Sequence, residues 1–81
     1  MNEDARYPRY SVTMEWDPSD HIYVVSVPEL LGCMTHGATL QEAAAQAQDA
    51  IESWVDAARE RGIPLPEPRV WTDDDEQAAG S

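Results

Sequence analysis

Lysine is missing from this sequence altogether. Five Arg residues face sixteen carboxylates across 81 residues, and the formal charge is −11 at neutral pH. Nucleic-acid binding draws much of its affinity from basic side chains that neutralise phosphates, and five scattered Arg residues make no such footprint. A basic protein is the natural complement of this surface. Cysteine is almost as scarce: Cys33 is the single one, so no internal disulfide framework of the kind small secreted domains rely on can form, and a reducing, cytoplasmic setting is expected. No apolar stretch approaches the roughly 18 residues of a membrane span, and the first ten residues hold no apolar run of the signal-peptide type. No internal repeat is present.

What remains is the pattern of one small domain. Apolar residues make up 42% of the chain, enough for a single core, although a domain this short buries only about 60% of the surface its unfolded chain exposes. Tyr10, Val12, Met14 and Trp16 alternate with Ser11, Thr13 and Glu15, the period of a half-buried strand. The turn-forming run Asp17-Pro18-Ser19-Asp20-His21 leads into Ile22 to Val27, rich in β-branched residues, so the two segments read as a hairpin. Pro28 ends the second strand, Gly32 allows a sharp bend, and a short third strand is expected around Cys33 to His36, closed by Gly37.

A long helix follows. Thr39 with Glu42 three positions later is a capping box, in which hydroxyl and carboxylate each satisfy a backbone N–H left over at the helix start. Leu40, Ala44, Ala47, Ile51, Trp54 and Ala58 recur at spacings of three and four, with Ala43 and Val55 widening the stripe; this face is expected on the sheet, with small residues allowing close approach early and Trp54 anchoring the core late. Arg59 and Arg61 suit the last turn and Gly62 the left-handed residue after it. The segment Ile63-Pro64-Leu65-Pro66-Glu67-Pro68 is a stiff extended connector, Val70 and Trp71 suggest a short edge strand, and the carboxylate-rich end is expected to be disordered. The domain division is a flexible N-terminus over 1–8, the folded unit over 9–72 and an acidic tail over 73–81.

Three constellations invite chemistry. Cys33 and His36 form a C-x-x-H pair, but three residues apart on a strand they point to opposite faces, and a zinc site would need further ligands; a structural, buried Cys33 is expected. Glu15, Asp17 and Asp20 resemble a carboxylate cluster for a metal-dependent nuclease, yet they lie in one strand and its turn, with no lysine for a phosphate. No metal, cofactor or catalytic residue is expected. The third is a second helix stripe, Glu42, Gln46, Asp49, Ser53, Asp56 and Glu60, opposite the apolar one. Asp56 and Glu60 repel each other at i,i+4 without a lysine to relieve them, which suggests a cationic partner.

The run Tyr23-Val24-Val25-Ser26-Val27-Pro28-Glu29-Leu30, followed by Gly32-Cys33, Thr35, Gly37, Thr39 and Glu42-Ala43 and then by the proline-rich connector, resembles the N-terminal domain of HicB-type antitoxins, the acidic halves of HicA–HicB toxin–antitoxin pairs. The resemblance spans about residues 9 to 71. It implies an α+β fold, β-β-β-α-β, with a three-stranded antiparallel sheet, one long helix on one face and a short fourth strand, similar to a truncated ribonuclease H fold without its activity. It also implies a partner: a small basic HicA-type toxin of double-stranded-RNA-binding-domain type, which cleaves mRNA with a catalytic His that the antitoxin covers. On that reading Glu42, Asp49 and Asp56 bind the partner, while Cys33, Thr39, Trp54 and Gly62 are structural. Leu31 stands where a Pro is common, and an extended Leu is expected to serve. Members that repress their own operon carry a DNA-binding domain after this one. Only thirteen residues follow Pro68 here, so a solitary domain without direct nucleic-acid binding is expected. The alternative to toxin neutralisation is an orphan domain that self-associates, as a homodimer or higher oligomer, through a strand edge or the open sheet face.

Overall fold

The computed structural model describes residues 7–71. Three antiparallel strands, β1 (Thr13–Asp17), β2 (Ile22–Ser26) and β3 (Met34–Gly37), lie in the order β1-β2-β3, and the helix α1 (Leu40–Glu60) packs on one face. The fold class is α+β. The registers Met14↔Val25↔Thr35 and Trp16↔Tyr23↔Gly37 bring one set of side chains to the helix side, while Glu15↔Val24↔His36 and Thr13↔Ser26↔Met34 line the open face. The hairpin closes with the His21 N–H donating to the Asp17 carbonyl at 2.8 Å, and the Asp17 carboxylate takes the Ser19 N–H at 2.9 Å. His21 turns the chain in the left-handed region at φ 57°.

The core is built from two adjoining clusters. Val25, Ala43 and Ala47 meet at the start of the helix, with Met14 and Tyr23 against them; Tyr10, Val27, Leu30, Cys33 and Val55 meet at the other end. The close approach at the first cluster depends on Gly37, where a Cβ would stand 2.5 Å from the Ala43 backbone nitrogen. Any side chain there would push the helix off the sheet. Thr39 caps α1 by accepting the Glu42 N–H at 3.0 Å, and the Glu42 carboxylate returns the bond to Ala38 at 2.8 Å, one residue before the usual partner. At the far end Arg61 is the C-cap and Gly62 follows at φ 69°. The Ile63 N–H then reaches back to the Ala58 carbonyl at 2.8 Å, closing the helix in the manner of a Schellman turn.

Three expectations need correcting. The buried stripe is Ala43, Ala47, Val55 and Ala58, with Leu40 and Ala44 exposed. The helix lies chiefly over β3 and β2 with Ala43 and Ala47 turned to the sheet, so Leu40 and Ala44 face away from it and β1 is left largely uncovered. Trp54 is only half-buried: its indole N–H donates to the Leu31 carbonyl at 3.1 Å, and the fully buried side chain at that end is Val55. A ring carrying a donor has to stay where an acceptor can be met. Leu31 is a central residue of the turn closed by the Cys33 N–H to Leu30 carbonyl bond, with Gly32 at φ 73° as the other, the type II arrangement whose first central position takes an extended backbone that suits Pro and is open to Leu.

The third correction concerns the fourth strand, which does not form among the described residues: Val70 and Trp71 carry no strand pairing. The Glu29 carboxylate explains why. It lies between the lead-in to β1 and the chain after the connector, accepting the N–H of Ser11 at 3.1 Å and that of Arg69 at 2.8 Å. Two donors available for a ladder are spent on one side chain. The Ser11 hydroxyl on the Arg69 carbonyl and the Tyr10 hydroxyl on the Pro66 carbonyl complete the attachment. Tyr7, assigned from sequence to the flexible N-terminus, sits on the helix with its hydroxyl on Asp56. The acidic tail over 73–81 lies outside the described residues.

Candidate partner-binding surface

The outward face of α1 carries the carboxylates singled out above. Glu42, Asp49 and Asp56 follow each other at seven-residue intervals, and two helical turns nearly restore the same direction, so the three form a line with a drift of about 20° per step. All three are exposed. They are not equivalent. Glu42 holds the Ala38 N–H and so belongs to the cap. The Asp56 carboxylate accepts the Tyr7 hydroxyl through both oxygens, at 2.9 and 3.0 Å, and the Arg59 guanidinium stands 5.7 Å from the centre of the same Tyr7 ring. The Asp49 carboxylate makes no hydrogen bond or ion pair among the described residues. The repulsion between Asp56 and Glu60 is therefore offset within the chain, and it gives no separate reason for a cationic partner.

The other candidates separate in space. Cys33 is buried among Tyr10, Val27, Leu30 and Val55, and burial pushes its thiol above the ordinary value; His36 is exposed on the open face, paired with Val24. No nucleophile–base contact exists between them. The Asp17 carboxylate is engaged by its own turn, and among the described residues no group of three or more His, Cys, Asp or Glu side chains is placed to hold a metal ion. No helix of the described residues is long and apolar enough to cross a membrane.

Two features escaped the sequence reading. Glu29 draws its importance from Arg69, forty positions away, and nothing local signals it. Burial of its carboxylate pushes the pKa up, but the backbone N–H groups of Arg69 and Ser11 outweigh that and hold it below the ordinary 4.5. The second is an exposed aromatic group at the hairpin: Trp16 meets Tyr23 edge-on at 5.0 Å between ring centres and His21 at 6.1 Å, and it remains 48% exposed. Strand alternation assigned Trp16 to the core, since periodicity cannot show how far a helix reaches across a sheet.

The described residues form a small α+β domain, a one-layer sheet with a single helix whose outer face is acidic. Over residues 10–78 the chain matches the family described as HicB_like antitoxin of bacterial toxin-antitoxin system, and it belongs to that family. It is also 34% identical over 58 residues to UPF0150 protein Ta0767 of Thermoplasma acidophilum, an alignment covering 72% of this chain and 83% of that one. No solved structure matches it.

Proposed function

We propose that this domain neutralises a small basic HicA-type mRNA interferase by binding it and covering its catalytic face, without catalysing a reaction of its own. Membership of the antitoxin family supports a toxin–antitoxin module in general. The observation that carries the finer reading is the exposed line Glu42, Asp49 and Asp56 on a chain of charge −11 with no lysine. Such a face speeds encounter with a basic protein and fixes its orientation. Asp49 is the principal contact, because the other two carboxylates already hold internal donors. The sheet-and-helix unit, a partial ribonuclease H-like arrangement, serves as a rigid support, and the setting is the cytoplasm.

The test is co-purification with the small basic protein encoded beside the gene. The expected result is a complex at low salt that loosens as salt rises and weakens on Asp49→Arg with the melting temperature unchanged; no complex at low salt defeats the proposal.

A second reading, an orphan domain that self-associates, rests on the two sheet edges unpaired among the described residues and on Met34, 63% exposed on the open face. Light scattering separates the two. A strict monomer at high concentration removes the second reading and leaves the first intact.

A further inference from the structure

Trp16 occupies an unusual place. It faces the helix side of the sheet opposite Tyr23, yet the helix lies over β3 and β2, so a large aromatic stands half-exposed on an edge strand. Tyr23 and His21 hold it edge-on, so the indole is positioned without being covered. Of the nearby carboxylates, Asp20 is exposed in the turn before His21, while Glu15 lies on the opposite face of β1 and the Asp17 carboxylate is held by its own turn. An exposed aromatic on an edge strand is a standing liability for unwanted pairing unless it serves recognition.

We infer that Trp16 is the aromatic platform for an arginine side chain of the basic partner, the guanidinium stacking on the exposed indole of a chain of charge −11. This deepens the antitoxin reading and rests on it for the partner's charge. Arginine fits better than lysine because its planar cation both stacks on a ring and donates in a fork, whereas a lysine ammonium is compact and strongly hydrated. A second copy of this chain is a poor occupant, since it brings a charge of −11 to a chain that already carries the same charge. Among interface side chains Trp and Arg dominate the binding energy, so Trp16 concentrates at one point what the helix face spreads along its length.

The experiment compares the wild-type chain with Trp16→Phe and Trp16→Leu, each titrated calorimetrically with the basic protein encoded beside the gene. Thermal melts verify that the variants fold, as expected for a half-exposed position. Trp16→Leu should bind roughly five- to thirty-fold more weakly, the range a desolvated cation–aromatic contact supports, and Trp16→Phe should stay within about threefold. Leu binding as well as Phe overturns the inference, since the contact is then merely apolar, and leaves the antitoxin reading standing. If the wild type binds no such protein, the antitoxin reading fails. An octa-arginine peptide then decides the inference separately: a shift of the Trp16 indole N–H resonance larger than octa-lysine produces at the same salt supports it, and an equal or absent shift overturns it.

Discussion

The backbone N–H of Arg69 donates to the carboxylate of Glu29 at 2.8 Å, across forty positions of sequence. Because the same carboxylate also takes the Ser11 N–H, one side chain ties both ends of the described chain to the turn that follows β2. Glu29→Ala leaves two backbone donors without that acceptor. The site is open to solvent, so water recovers part of the loss, and the expected cost is about 1–2 kcal/mol. For a domain of this size that lowers the melting temperature by roughly 4–16 °C. Faster amide exchange at Ser11 and Arg69 should accompany it, and unchanged exchange there would show that the bonds are not formed in solution.

The same bonds predict a pH dependence. They hold the folded-state pKa of Glu29 below the ordinary 4.5, so the folded chain binds fewer protons than the unfolded one between those two values. Glu29 therefore contributes stability that is complete above about pH 4.5 and is lost as the pH falls through the folded value. The difference in unfolding free energy between the wild type and Glu29→Gln should be constant at neutral pH and shrink below 4.5. A difference that grows on acidification contradicts the assignment.

Two glycines should respond differently to the same substitution. At Gly62, φ is 69° and the space around it is open, so Gly62→Ala costs about 1–2 kcal/mol through backbone strain alone. At Gly37 the added methyl would meet the Ala43 backbone at 2.5 Å. Backbone yields less readily than a side chain, and Gly37→Ala should cost about 3 kcal/mol or more as the helix lifts from β3. Urea titrations of the two variants measure the order, and equal costs would contradict the close approach.

Leu30 and Leu31 are neighbours in sequence, but Leu30 is 2% exposed and Leu31 90%. Leu30→Ala should cost about 2–5 kcal/mol, much of the roughly 4–12 kcal/mol expected for a chain of this length. Leu31→Ala should stay within about 0.5 kcal/mol. Comparable losses from both would place the turn differently.

Cys33 offers a chemical probe of the core. The thiol is buried and its pKa is raised by that burial, so two effects suppress the reactive thiolate. Iodoacetamide at mildly alkaline pH should label it slowly in the native protein and quickly in urea. Prompt native labelling would mean that the cluster of Tyr10, Leu30 and Val55 opens readily.

The sequence by itself determined the local grammar: the hairpin through Asp17 to His21, the cap at Thr39, the helix stop at Gly62, and a carboxylate line at seven-residue spacing. Each depends on backbone preferences or on residues within one or two turns of each other, so composition and periodicity suffice. Only the tertiary structure decided that Val55 fills the core where Trp54 was expected, that Glu29 replaces a strand pairing, that Tyr7 occupies Asp56, and that Trp16 stands exposed. Those outcomes turn on where a 21-residue helix comes to rest across a three-stranded sheet. That position is set by the Gly37–Ala43 approach and by a carboxylate reaching forty residues along the chain, distances that no sequence window contains.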